Sequence, residues 1–403
     1  MSGVHPPTKS LRIPLELSDK IIDYALEGSP TAHTDAASLS LSHPQFQHRA
    51  QGVLIVDIHI SHRSRHRNPI WFFAHSPHLI PYVRTIRLRN DKDQWQDQFP
   101  TIITMLMTGE GHAKKIILEH VTVRELLEVG ANWEPFLDAT LSDCVFTFSH
   151  CFQWIKELQN LRTLMFSREH PSTCCRDLGA IESTPLPFLD ALMYHPEASS
   201  INISADKRFF GCVSGMCQRL RCLEITASES DINGVHGILD AGRAMLESLK
   251  LRIMGWPSNR IPPCFLLRGC SSLQSLSFDV DEGYTARMTS SLDTLGVNNV
   301  LASIHIDMTI VQFYTRPCEW EEFFDVIWDR WGFPMLETCL IRLRCFCNTH
   351  NYLSTHSSTT EHTIQTLIDR HVRAGDPQIV VMRELEREDA MASTYHPFQL
   401  HAI

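Results

Sequence analysis

The chain of 403 residues lacks any long hydrophobic run. Its purely apolar stretches, such as Val53 to Val56, fall far short of the roughly 18 or more residues of a membrane span. The first twenty residues contain neither an apolar core segment nor a small-residue cleavage site, so the expected compartment is the cytoplasm and/or the nucleus. The 13 cysteines include no C-x-x-C pair. Without secretion, and with an odd count, they read as thiols rather than a disulfide framework, and most sit within apolar segments as small hydrophobes. Cys212, Cys217 and Cys222, and Cys345 and Cys347 with His350, lie close together but without the paired spacing of a structural zinc site. Asp279, Asp281 and Gly283 fit a calcium loop poorly, since the glycine falls one position early and the twelfth position, Ser290, has no carboxylate. There is no G-x-S-x-G elbow and no phosphate-cradling G-x-x-x-x-G-K-[ST] loop. The expectation is a protein without catalytic residues, cofactor or metal. Basic residues are outnumbered, 36 to 46, giving a net charge of -10, so phosphate backbones and anionic lipid surfaces are poor partners. The one basic run, His62 to Arg67, has no interleaved stacking aromatic and reads as a solvated loop.

What the chain does have is 43% hydrophobic residues arranged in two different periods. Near the start, Leu17, Ile21, Ile22, Ala25 and Leu26 recur at helical spacing after Pro14, and Gly28 with Pro30 ends the run. A second short helix is expected from Asp35 through Leu39 and Leu41, and a third begins at Pro44 and carries Phe46. Val56, Ile58 and Ile60 then alternate with polar residues, the period of a half-buried strand.

The rest of the chain repeats apolar-x-x-apolar-x-apolar. The motif reads VRTIRL from Val83, AKKIIL from Ala113, LRTLMF from Leu161, ASSINI from Ala198, LRCLEI from Leu220, LESLKL from Leu246, LQSLSF from Leu273, LASIHI from Leu301 and LETCLI from Leu336, with a weaker LDATLSD from Leu137. Stretches such as Ile102 to Met107 and Pro187 to Tyr194 read as intervening helices. Units that cannot bury their apolar faces alone stack into one core with a parallel strand ladder. The expected fold class is therefore α/β: a small three-helix head followed by a leucine-rich-repeat-type solenoid. The boundaries are a flexible N-terminus at 1–10, the head and first strand at 11–60, the solenoid at 61–385 and a tail at 386–403.

The polar positions between the apolar strand residues would line the inner face: Arg87, Glu119, Asn202, Glu224, Lys250, Arg252, Ser277, Asp279, His305, Asp307 and Arg342. Of these, Arg87, Glu224, Lys250, Arg252, Asp279, His305, Asp307 and Arg342 are the candidate target-binding residues. The segment from Trp320 to Trp331 carries an aromatic stripe, Trp320, Phe323, Phe324, Ile327, Trp328 and Trp331, expected to be the packing face of one repeat.

The succession IPLELSDKIIDYAL, DAASLSLSHPQFQHRAQ, a strand, and FFAHSPHLIPYVRTIRLR resembles the F-box-like proteins with degenerate leucine-rich repeats that are numerous in mushroom-forming fungi. The resemblance implies a head that binds a Skp-type adaptor, and through it a cullin, and repeats that hold a protein destined for ubiquitination. On that reading Ile13, Pro14, Leu15, Leu17, Ile21, Ile22, Leu39, Leu41 and Phe46 are adaptor-facing or head-core positions. The second block departs from the family pattern, with Leu41-Ser42-His43-Pro44-Gln45-Phe46 where a basic pair and a tryptophan are usual. The other reading of the same chain is a ligase-independent leucine-rich-repeat scaffold.

Overall fold

The computed structural model describes residues 14–26, 32–42, 44–61, 69–90, 99–107, 113–128, 130–167, 170–171, 188–195, 210–211, 213–228, 232–254, 265–310, 317–329, 332–347, 352–371 and 377–387. The chain forms two compact units, one of residues 1–121 and 125–138 and one of residues 122–124 and 139–403. Both are α/β with parallel strands.

The first unit begins with three helices, α1 (Leu15–Leu26), α2 (Ala32–Ser42) and α3 (Pro44–Leu54). Asp35 falls inside the first turn of α2 rather than before it, where its charge suits the positive end of the helix dipole. Ile22, Leu26 and Ala36 are buried together, and Leu39, Phe46, Val53 and Leu54 pack against them. Arg49 on α3 clamps Asp23 on α1 through two hydrogen bonds of 2.9 Å. Gly52 on α3 is a close-approach glycine: a Cβ there would stand 2.8 Å from Cδ1 of Tyr82, at the end of the 3-10 turn Pro77–Tyr82. Strands β1 (Asp57–Ser61), β2 (Thr85–Arg89) and β3 (Lys115–Glu119) then pair in parallel and in chain order, with Ile58, Ile86 and Ile116 in one register row and Ile60, Leu88 and Leu118 in the next. Between them lie α4 (Pro69–His75) and α5 (Phe99–Met107), and α5 buries Ile102, Ile103 and Leu106.

Among the described residues the second unit carries a ladder of nine parallel strands, also in chain order. They are β4 (Asp138–Ser142), β5 (Thr163–Ser167), β6 (Ala191–His195), β7 (Cys222–Ser228), β8 (Ser248–Met254), β9 (Ser275–Asp281), β10 (Ser303–Ile310), β11 (Thr338–Cys347) and β12 (Gln378–Arg387). The first motif positions, Leu161, Leu220, Leu246, Leu273, Leu301 and Leu336, are all buried. The second and third build two continuous apolar rows, Leu223, Leu249, Leu276, Ile304 and Cys339, and Ile225, Leu251, Phe278, Ile306 and Ile341. The backbone hands over identically from unit to unit. Arg221 O accepts from the N–H groups of Glu247 and Ser248, Glu247 O from those of Gln274 and Ser275, and Gln274 O from those of Ala302 and Ser303, all at 2.8 to 3.1 Å. Repeated donor pairs of this kind hold the strands in one register, and a slip by one residue would turn every apolar side chain to the other face.

Parallel neighbours need a crossover long enough to return to the same edge. Described crossovers of the second unit contain the helices α7 (Phe148–Glu157), α8 (Ile232–Gly242), α9 (Thr285–Leu292) and α10 (Pro317–Trp328). The last of these buries Trp320, Phe323, Phe324 and Ile327, so the aromatic stripe is a packing face. The ring of Trp328 stacks on Phe324 at 4.8 Å, whereas Trp331 lies outside the described residues. A longer helix, α11 (Tyr352–His371), precedes β12 and buries Ile364, Leu367 and Ile368. The residues of the short helix α6 (Val123–Glu128) are divided between the units, 123–124 falling in the second and 125–128 in the first.

Two expectations are corrected. The described residues of the segment Pro187 to Tyr194, from Phe188 on, are not helical: the strand β6 occupies Ala191–His195, with Leu189, Leu192 and Tyr194 buried in the repeat motif. The alternation of Leu192, Met193 and Tyr194 suits either period over so short a run, and pairing with Leu223 and Ile225 decides it. In the weak segment the motif starts at Phe136, not Leu137, because Phe136, Ala139 and Leu141 are the buried residues. The segment ASSINI from Ala198 and the basic run His62 to Arg67 lie outside the described residues.

Candidate functional site

Two surfaces collect the residues singled out above, one in each unit. In the first unit, α1 divides its apolar residues between two sides. At about 100° per residue, Leu17, Ile21 and Tyr24 fall within one stripe about 60° wide, while Ile22 and Leu26 lie about 100° and 140° from Ile21; Pro14, just before the helix, is exposed as well. Ile22 and Leu26 are buried, whereas Leu17 and Ile21 each remain 52% exposed and Tyr24 84%. The helix is thus anchored from behind and presents apolar side chains to solvent. Leu39 and Phe46 are partly buried and pack against the Ile22 cluster. Leu15 and Leu41 lie within α1 and α2, and Ile13 is outside the described residues. Tyr24 was missed by sequence reasoning, although its spacing from Leu17 and Ile21 was there to be read.

In the second unit, the sheet face opposite the buried rows carries charge. Lys250, Ser277 and His305 share one register row, and Arg252, Asp279, Asp307 and Arg342 the next. Side chains two apart on a strand point the same way, which brings Arg344 beside Arg342. Arg344 contacts Asp307 at 3.1 Å and Asp279 at 3.5 Å, Arg342 contacts Asp307 at 3.3 Å, and Arg252 contacts Asp279 at 3.5 Å. Glu224 takes an ion pair from Lys250 and lies 3.6 Å from His195 Nε2. His195 Nδ1 is 3.0 Å from the Thr226 hydroxyl. His305 Nε2 and Asp307 Oδ1 stand 3.4 Å apart, and neither has a hydrogen bond of good geometry. Burial holds the His195 imidazole below its ordinary pKa, the charges of Lys250 and Arg252 add to that, and Glu224 opposes it.

Every candidate on this face in β7 to β11 is therefore brought together. In the first unit Arg87 and Arg89 flank Glu119 at 3.6 and 4.0 Å, and Asn202 lies outside the described residues. Sequence reasoning missed His195, Thr226 and Arg344. His195 was hidden by the helical reading of its segment, whereas Arg344 followed from the same alternation that found Arg342.

Among the described residues no group of three or more His, Cys, Asp or Glu side chains is placed to hold a metal ion. Cys217 donates to the Val213 carbonyl at 3.2 Å, and burial pushes its thiol up to about 12, so it is protonated at neutral pH. Cys222 is raised by burial as well, with Glu224 adding to the shift. Cys212 and His350 lie outside the described residues, and Cys345 and Cys347 fall on β11. Among the described residues no helix is long and apolar enough to cross a membrane. No protein-family model matches the chain, and no curated protein matches it.

Proposed function

We propose that the protein is a non-catalytic substrate-recognition adaptor of an SCF-type ubiquitin ligase. Its head binds a Skp-type adaptor, and through it a cullin, while its leucine-rich-repeat-type solenoid holds the protein target in the cytoplasm or nucleus. The observation that carries this reading is the stripe of Leu17, Ile21 and Tyr24, exposed on a helix whose other side is fixed to the Ile22 cluster. Solvent gives no reason to keep half-exposed aliphatic side chains in a row, whereas burial of each against a partner contributes up to about 1.5 to 3 kcal/mol. The packing of the partly buried Phe46 against the Ile22 cluster also supports it, because the departure from tryptophan then bears on head packing.

The test is co-purification of the full chain with a purified Skp-type adaptor, comparing wild type with Ile21→Asp and checking both by circular dichroism. The expected result is stoichiometric binding that the folded variant loses. Absence of binding by well-folded wild type would remove the ligase reading and leave a repeat scaffold.

A further inference from the structure

One ion pair in the head joins two helices. Asp23 of α1 has an exposed lysine, Lys20, three residues earlier on its own helix, yet its carboxylate is taken by Arg49 of α3. Nε of Arg49 donates to one carboxylate oxygen and Nη2 to the other, both at 2.9 Å, and Nη2 also stands 2.8 Å from the first oxygen. A guanidinium that grips both oxygens fixes direction as well as distance, which the point charge of a lysine does not. The two side chains remain 40% and 47% exposed, so the pair adds little to stability. What it sets is the roll of α1 about its own axis.

At about 100° per residue, Ile22 lies about 100° beyond Ile21 at one edge of the exposed stripe, and Asp23 lies about 100° beyond Tyr24 at the other edge. The sector of α1 held by Ile22, Leu26 and Asp23 is therefore centred about 180° from the middle of the stripe of Leu17, Ile21 and Tyr24. Take the clamp away, and the held sector shrinks to Ile22 and Leu26, with its centre displaced by about 30°. Apolar burial is non-directional and leaves that roll free. At a side-chain radius of about 5 Å, a roll of about 30° moves the presented groups by about 3 Å, enough to spoil close packing against a partner.

We infer that Arg49 is a positioning residue of the proposed adaptor-binding surface, acting through Asp23 to fix the roll of α1 that presents Leu17, Ile21 and Tyr24. The partner's identity rests on the proposed function, whereas the roll of α1 does not. Arg49 has this effect without touching the partner.

The test uses the full chain with isoleucine δ-methyl groups labelled with carbon-13, the signals of Ile21 and Ile22 being assigned by Ile21→Val and Ile22→Val. A soluble gadolinium chelate reads the exposure of each methyl, and calorimetric titration of the same proteins with a purified Skp-type adaptor reads affinity. In Arg49→Gln and Asp23→Asn the Ile21 signal should shift and its relaxation by the chelate should change at least twofold, while the Ile22 methyl stays protected. Affinity should fall at least threefold in each, with the double variant no worse than the weaker single one. Arg49→Lys should resemble Arg49→Gln, because charge without the two-point grip does not set direction. A salt bridge of merely structural value would instead leave the Ile21 methyl and the affinity unchanged wherever Ile22 stays protected, and that result would overturn the inference, as would Arg49→Lys behaving as wild type or losses that add in the double variant. Should a single variant expose Ile22, the exchanged pair Asp23→Arg with Arg49→Asp decides: recovery of both readings supports the inference, and recovery of neither overturns it. Failure of the wild type to bind the adaptor removes the ligase reading, and the Ile21 methyl still decides the roll of α1 by itself.

Discussion

Two adjacent isoleucines on α1 give the sharpest test of how the head is built. Ile22 is 1% exposed and sits with Leu26 and Ala36, whereas Ile21, about 100° further round the helix, is half exposed. Replacing a buried isoleucine by alanine removes its transfer free energy and leaves a cavity, costing about 2–5 kcal/mol. Taking about 3 kcal/mol for Ile22→Ala, the opening equilibrium of the head shifts by about 150-fold, since each 1.4 kcal/mol is tenfold. For Ile21→Ala only part of the side chain leaves a protein environment, and the cost is below about 1 kcal/mol, under roughly fivefold. Hydrogen–deuterium exchange with mass spectrometry on peptides covering residues 15–26 reads both numbers directly. The expected result is exchange accelerated about a hundredfold in Ile22→Ala and nearly unchanged in Ile21→Ala, with adaptor binding weakened in the second. Equal acceleration in the two variants would refute the division of α1 into a buried and a presented side.

Three further outcomes follow from particular contacts. Gly52→Ala puts a Cβ 2.8 Å from the Tyr82 ring and should destabilise the first unit by about 1–3 kcal/mol, seen as a lower denaturant midpoint. Leu276→Ala, in the middle of the apolar row between Leu249 and Ile304, should cost about 2–5 kcal/mol, or about 5–15 °C in the melting temperature of the second unit by calorimetry. His195 has a folded pKa below its ordinary 6.5, so the unfolded chain binds more protons in the window just beneath that value. Its contribution is complete above pH 6.5 and declines as pH falls toward the folded pKa. His195→Asn should flatten the loss of stability between pH 6.5 and 5, measured by urea unfolding at each pH.

The repeat motif determined by itself which residues go inside. Leu220, Leu223 and Ile225, and the same positions from Leu246, Leu273 and Leu301, are buried as spaced, because the alternation of a strand leaves one face for the core whatever surrounds it. The sequence also determined the helical head and the mixed charge of the opposite sheet face. Tertiary structure decided what local period could not. It made Ala191–His195 a strand by pairing it with β7, set the weak segment on Phe136 instead of Leu137, and turned Ile22 inward while leaving Ile21 outside. It also placed Arg344 against Asp279 and Asp307, which are far apart in the chain. The physical reason is common to all four: a short apolar or charged run is compatible with more than one face or period, and only the neighbours it meets across the ladder or the head core select one.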